Sequence, residues 1–439
     1  MEHIIMPAWA MIPFALMLLA IAIGPIVAEK FWEKNTNKLL VSVILSLPVV
    51  AFLLMRHMGI ALVDTVFFDY LPFIILLLSL YVVTGGIHFS GDLKAKPIVN
   101  TIFLALGFVL ASLMGTTGAA MLLIRPVLAT NQQREHKMHT VLFFIALVAN
   151  CGGLLTPLGD PPLFMLFLRG ASFTWFASMW APWLFTGALL LLIYFLVDTY
   201  FYRKEDWVNL SADCREKQPM KITGGLNFLW LVGIIASVAF INSGFIPAMG
   251  EEYAPLYIRY LREIALLVMA TLSLVTTSKK VRYEENKYSW DSIIEVAALF
   301  IGIFVTMAPA LIFLKQHAAD LGLTNIWQYY YATGALSAFL DNTPTAVAFH
   351  SMATGLSPEV MASMDATLIA GIPEVLLKAI CIGAVFFGSL TYIGNGPNFM
   401  VKSIAEASGI KMPSFFGYMI KFSLIVLLPI YILVQIIFL

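Results

Sequence analysis

Thr116 and Thr117 in GTTGAA (Gly115 to Ala120), and Asp341, Asn342, Thr343 and Thr345 in DNTPTA (Asp341 to Ala346), put oxygen-bearing side chains inside otherwise apolar stretches. Two more stretches do the same and read as copies of each other, LTPLGDPPLFM from Leu155 to Met165 and LTYIGNGPNFM from Leu390 to Met400. Six of their eleven aligned positions are identical, including Gly159 with Gly394 and Pro162 with Pro397, residues that stop a helix from running through unbroken. Unwound backbone frees carbonyl oxygens for a cation, while half-helix N-termini suit an anion or a carboxylate. Asn150, Thr156, Thr391, Asn395 and Asn398 add neutral oxygens of the kind that coordinate sodium.

Asp160 and Asp341 add carboxylates. An ionised acid in mid-span costs roughly 3 kcal/mol, so each is expected to face a cavity, a partner or a cation. Burial favours a protonated carboxyl and a bound cation favours the ionised one, so such a site can exchange Na+ for H+. A blander reading gives these residues to structure. Small polar side chains hold membrane helices together, and Asp341 before Asn342, Thr343 and Pro344, or Asp160 before Pro161, is a credible N-cap. Pairing around Gly and Pro favours a binding site, and capping is compatible with it. Of the two acids, Asp341 is the stronger candidate for proton carrier because it lies in a hairpin tip.

The elements that must position these residues follow from apolar run lengths. Spans are expected near 6 to 28, 39 to 55, 71 to 89, 139 to 168 and 174 to 201, then near 225 to 243, 262 to 278, 292 to 314, 374 to 405 and 414 to 439. The fourth and ninth are broken at the repeated stretches. Between the third and fourth of each half, residues 99 to 130 and 327 to 352 carry the two tips on arms of about 12 to 15 apolar residues, short of the roughly 20 that spanning needs. Two re-entrant hairpins fit these segments. The fold class is therefore an all-α polytopic membrane protein of two repeats, 1–201 and 225–439, joined by a polar linker at 202–224. Five spans per half makes the repeats inverted.

Composition agrees: 60% of residues are hydrophobic and 12% charged, too little charge to solvate a globule of 439 residues. Formal net charge is zero, so nothing favours nucleic acid. Cys151, Cys214 and Cys381 offer neither a disulfide framework nor a zinc cluster. The run from Met6 to Ala28 lacks a basic leader before it and is read as a retained first span. Eighteen Lys and Arg fall on the side that carries the linker and five on the other, which places the linker in the cytoplasm and both termini outside. Arg125 could neutralise an acid or hold an anionic substrate, but an Arg so near an edge more often snorkels; His88 and His350 are expected to be satisfied or solvated, and Asp291 and Glu295 to complement a helix start.

NCGGLLTPLGDPPLF (Asn150 to Phe164), DNTPTA, GSLTYIGNGPNFM (Gly388 to Met400) and EVAALFIGIFVTMAPAL (Glu295 to Leu311) resemble the ArsB/NhaD-type permeases of the ion transporter superfamily. The resemblance covers nearly the whole chain. It implies a scaffold and a moving transport domain, an elevator-like mechanism, a homodimer and the bacterial inner membrane. Na+ or Li+ against H+ is the antiport it implies, with Asp160 and Asp341 as coupling acids. The antiporters carry an Asp-Asn pair at the first hairpin tip, where this chain has Gly115, Thr116, Thr117 and Gly118; that departure moves it toward the branch labelled citrate transporters. The alternatives are a Na+- or H+-coupled di- or tricarboxylate symporter and an arsenite efflux permease. No Walker-type nucleotide motif is present, no enzymatic activity is expected, and no cofactor is needed beyond the moved Na+ and H+. Expected contacts are the bilayer and a small cation or carboxylate.

Overall fold

Met138–Leu147 and Glu374–Phe387 are apolar on nearly every side, the pattern of helices surrounded by protein, and both lie at the centre of the molecule. The computed structural model describes residues 5–206, 218–251 and 253–439. Around the two central helices the order of elements recurs. The first series is α1 (Ile12–Val27), α2 (Asn35–Met55), α3 (Gly59–Thr84), a hairpin of α4 (Pro97–Met114) and α5 (Thr116–Thr130), a broken pair α6 (Met138–Leu147) and α7 (Pro161–Leu168), and α8 (Trp180–Tyr202). The second is α9 (Asn227–Phe240), α10 (Leu261–Thr276), α11 (Asp291–Gln316), a hairpin of α12 (Ile326–Ser337) and α13 (Asn342–Ala353), a broken pair α14 (Glu374–Phe387) and α15 (Gly396–Ala407), and α16 (Phe415–Phe438).

Eight helices among the described residues are long and apolar enough to cross a membrane, not ten. The polytopic, all-helical membrane class stands, and the differences have physical causes. Helices α9 and α10 contain 14 and 16 residues, which reach only about 21 and 24 Å at 1.5 Å per residue; α10 ends early, at Thr276, and the broken ninth span is divided into helices of 14 and 12 residues. Arm α4 is longer than expected at 18 residues, since its buried Asn100 is paired with Asn131 and Asp198 and so does not end the helix. The third span begins at Gly59 rather than near residue 71 and runs through a wide-turn segment from Asp64 to Tyr70.

Outer helices show their lipid face plainly: Leu40, Ile44 and Leu47 on α2 are each at least half exposed. On their inner sides α2 packs on α11 and α3 packs on α10. The hairpins pack crosswise, α5 against α15 and α13 against α7, so the second arm of each hairpin lies on the far half of the other repeat's broken pair. Two short strands, β1 (His88–Asp92) and β2 (Gln218–Thr223), pair antiparallel and tie the end of α3 to the linker. Arg134 and His139 both meet the buried Asp198 at 2.7 Å, which fastens the base of the first hairpin to α8. His350 Nε2 donates to the Ala370 carbonyl at 2.9 Å, and His88 pairs with Asn286 at 2.8 Å, so both histidines are satisfied. Cys151 and Cys381 are buried free thiols; Cys214 lies outside the described residues.

Candidate functional site

The two breaks have the same backbone. After a short tight turn, Thr156 (φ −142°, ψ 158°) and Thr391 (φ −137°, ψ 167°) are extended; then Asp160 (φ −142°, ψ 141°) and Asn395 (φ −146°, ψ 141°) are extended again before a new helix starts at a Pro-containing first turn. Glycine is required at the crossing. A Cβ on Gly159 would sit 1.9 Å from the Gly153 carbonyl oxygen, and one on Gly394 2.5 Å from that of Gly388. The first tip also needs glycine, because Gly115 at φ +82° joins α4 to α5.

Each break is fastened to the hairpin of its own half by the same bond. Thr156 donates its hydroxyl to the Ser112 carbonyl, and Thr391 donates to the Ala338 carbonyl at 2.5 Å. The hydroxyl protons of both threonines are therefore given to hairpin carbonyls. Gly159 accepts the Thr116 backbone N–H at 2.9 Å, which holds the first tip against the first break.

Asp160 is the centre. It is fully buried, and its carboxylate accepts three side-chain donors: Thr116 Oγ1 at 3.1 Å and Asn395 Nδ2 at 3.3 Å on Oδ1, and Asn342 Nδ2 at 2.8 Å on Oδ2. One donor comes from each hairpin tip and one from the other break, and all three are neutral. Asn395 also reaches Asn150 Oδ1 at 3.2 Å, Asn150 donates to Asn398 Oδ1 at 2.7 Å, and Asn398 donates to the carbonyls of Gly388 and Thr391 at 2.8 and 2.9 Å. Gly388 must be glycine for this approach, since a Cβ there would meet Asn342 Oδ1 at 2.4 Å and Asn150 Oδ1 at 3.0 Å.

The remaining sequence candidates stand apart. Asp341 is half-buried and accepts the Thr343 backbone N–H at 2.9 Å as the N-cap of α13; it makes no hydrogen bond to the Asp160 cluster. Asp160 makes no such cap bond to α7. Thr345 back-bonds to the Asp341 carbonyl at 2.9 Å. Thr117 is exposed and lines a cleft of about 100 Å³ with Thr84, Thr116, Ser292 and Pro161, bounded by α3 and the start of α11. Only one shell of residues therefore separates this cleft from Asp160. Sequence reasoning missed Ser337, whose single hydroxyl proton lies within reach of both Asn342 Oδ1 at 2.5 Å and the Ala384 carbonyl at 2.7 Å, so that it supports the Asn342 amide behind the face presented to Asp160. Its signal was faint, a small hydroxyl in an apolar arm.

Thr343 differs from the other threonines. Its side chain is buried beside Asp341, yet its hydroxyl has no hydrogen-bond partner of normal geometry. A buried unsatisfied hydroxyl costs stability, so Thr343→Val should leave thermal unfolding unchanged or raise stability by up to about 1 kcal/mol. If the oxygen is a ligand for the moved ion, the same change lowers ion affinity about tenfold, or about 1.4 kcal/mol. Apparent ion KM in vesicles beside thermal unfolding of the purified variant separates the two effects. An unchanged KM would return Thr343 to packing.

Further contacts lie at the opposite end of α7. Arg169, at the end of α7, bonds Asp69 of α3 at 3.1 Å, and Arg262 lies 5.4 Å over the rings of Phe164 and Phe167 while pairing with Glu263.

Residues 3–439 match the model of a family described as "Putative citrate transport". A curated relative, "Inner membrane protein YbiR" of Escherichia coli (strain K12), is 24% identical over 287 residues, covering 62% of this chain and 69% of the relative. The matched family is a permease family and is not specific to the ArsB/NhaD-type antiporters.

Proposed function

Since the chain belongs to that citrate-transport family, we propose that it is a secondary active transporter of the bacterial inner membrane that couples movement to a cation through Asp160, with Na+ or Li+ exchanged for H+. The observation that carries this reading is the Asp160 carboxylate, fully buried and held by neutral donors from both hairpin tips and the second break. A permanent cationic partner would lock the acid in its ionised state. Hydroxyl and amide groups do not, so the carboxylate is left to alternate between a proton and a metal cation. Asn150 Oδ1 and Thr116 Oγ1 are the oxygens best placed to complete a cation shell with it.

The recurring element order supports two inverted repeats, and the basic-residue asymmetry supports a cytoplasmic linker with both termini outside. In that orientation the cleft at Thr117 opens inward, and the contacts of Asp69 with Arg169 and of Arg262 with Phe164 and Phe167 seal the outer side. The hairpins and broken pairs then form the moving unit, which slides against α2, α3, α10 and α11 in an elevator-like step, with a second copy of the chain bracing the static helices.

A second reading is supported by the family's description and by the neutral tips: cation-coupled uptake of a di- or tricarboxylate in which Asp160 serves the coupling ion. Proteoliposomes decide between them. Antiport predicts that an inward Na+ or Li+ pulse drives H+ out without any organic anion present. Symport predicts no proton movement on the pulse alone and sodium- or proton-driven accumulation of labelled citrate. Arsenite extrusion without either response would favour the efflux permease.

A further inference from the structure

The first hairpin carries a polar feature that cation coupling does not use. On α5, Thr117, Met121 and Arg125 recur at four-residue spacing and so stack on one face. Thr117 opens on the cleft beside Asp160. About 6 and 12 Å further along the helix, Met121 and Arg125 line a separate pocket of about 30 Å³ with Asn286, Tyr288 and Ile404, and Thr84 lines both spaces.

Arg125 is held in place and lacks a counter-charge. Its Nη1 donates to the Asn286 carbonyl at 2.6 Å, and no carboxylate among the described residues lies within ion-pair distance. The Asn286 side chain is fully committed, giving Nδ2 to the carbonyls of Gly85 and Ile87 at 2.8 Å each and pairing Oδ1 with His88 at 2.8 Å. The carbonyl that orients the guanidinium is therefore fixed. A guanidinium has five donors, of which this bond uses one. Next to it, the Tyr288 hydroxyl is buried without a partner, and burial pushes it well above its usual range, so it stays a neutral donor. Behind Tyr288 lies a second guanidinium, Arg282, 5.2 Å from the ring and bonded only to neutral acceptors, Val82 and Ser273.

We infer that this pocket is a binding site for one carboxylate group of a small organic anion, at the end of a path along α5 that leads to the Asp160 cluster. A water-sized group needs about 10–15 Å³, so the pocket's volume accommodates the two oxygens of one carboxylate and the rest of the anion extends into the open mouth. A planar fork matches a carboxylate in bidentate geometry, and the apolar lining of Met121 and Ile404 suits the carbon chain of an organic acid better than an inorganic ion. The site does not depend on whether Asp160 carries a proton.

Binding, not transport, is the test, so its failure is distinct from a failure of cation coupling. The full-length protein in detergent micelles is titrated calorimetrically with citrate and, separately, with inorganic phosphate at constant ionic strength. Citrate should bind the parent, and Arg125→Gln should weaken it at least tenfold. Arg125→Lys, which keeps the charge and loses the fork, should fall between them. If Arg125→Gln does not yield folded protein, Met121→Trp, which fills the pocket, should likewise abolish binding. No citrate binding by the parent, parent-like affinity in Arg125→Gln or Met121→Trp, or phosphate binding as tightly as citrate would overturn the assignment.

Discussion

Asp160→Asn should yield a folded protein whose ion-driven proton movement falls by about a hundredfold or more, as when an obligatory proton-transfer group is lost. Folding is expected to survive because the network can be re-satisfied. With the new Asn oxygen in the place of Oδ1, it still accepts Thr116 and Asn395, while its amide faces Asn342. Turning the Asn342 amide over then offers an oxygen to that amide and an N–H to Ser337, whose oxygen can accept. Removing an intramembrane charge also relieves desolvation. What is lost is the proton itself, since Asn has none to release when the cation arrives. Asp341→Asn is the contrasting variant. Asn caps a helix about as well as Asp, and Asp341 bonds its own helix rather than the central cluster, so this variant should keep most of the flux. Pulses of Na+ in proteoliposomes with an entrapped pH dye measure both. If the exchange is electrogenic, an applied potential of 100 mV is worth about 2.3 kcal/mol per charge, and the parent alone should respond to it. Normal proton flux in Asp160→Asn would remove the acid from the mechanism.

The reversal in weight between the two acids marks how far the sequence could be read. The repeated Gly and Pro positions announced the breaks, and the Asp-Asn-Thr-Pro order announced a cap at Asp341, because both signals are local. Which tip residue turns inward is not local. Neighbours on a helix point about 100° apart, so Thr116 reaches Asp160 while Thr117 faces the cleft, and Asn342 reaches it while Asp341 turns back to its own helix. At the sequence level nothing separated Thr116 from Thr117, and the charge of Asp341 put it ahead of Asn342. The bonding of Thr156 and Thr391 to the hairpin carbonyls was invisible for the same reason, as it depends on where a chain segment 44 or 53 residues away has folded. The pairing of His139 with Asp198, 59 residues apart, was missed because each residue alone looks like a polar group near a span's end. The eleven-residue repeat, by contrast, has a counterpart in the backbone, whose angles agree within a few degrees at Asp160 and Asn395.

That agreement rests on glycine at both breaks, and Gly159 is among the tightest glycine positions of the described residues. Gly159→Ala brings a Cβ to 1.9 Å from the Gly153 carbonyl oxygen, with the Gly153 carbonyl carbon at 2.6 Å behind it. No side chain can yield, because the obstacle is backbone. Moving that backbone also displaces Thr116, whose N–H is bonded to the Gly159 carbonyl, and with it a donor to Asp160. The expected cost is at least about 3 kcal/mol, the upper end of the overpacking range, together with loss of transport in whatever protein still folds. Gly394→Ala meets the Gly388 carbonyl at a looser 2.5 Å and should be the milder of the two. Thermal unfolding of the purified variants, with transport measured on the monodisperse fraction, gives the order. Equal stability of Gly159→Ala and the parent would mean that the first break does not cross itself as described, and the geometry around Asp160 would have to be redrawn.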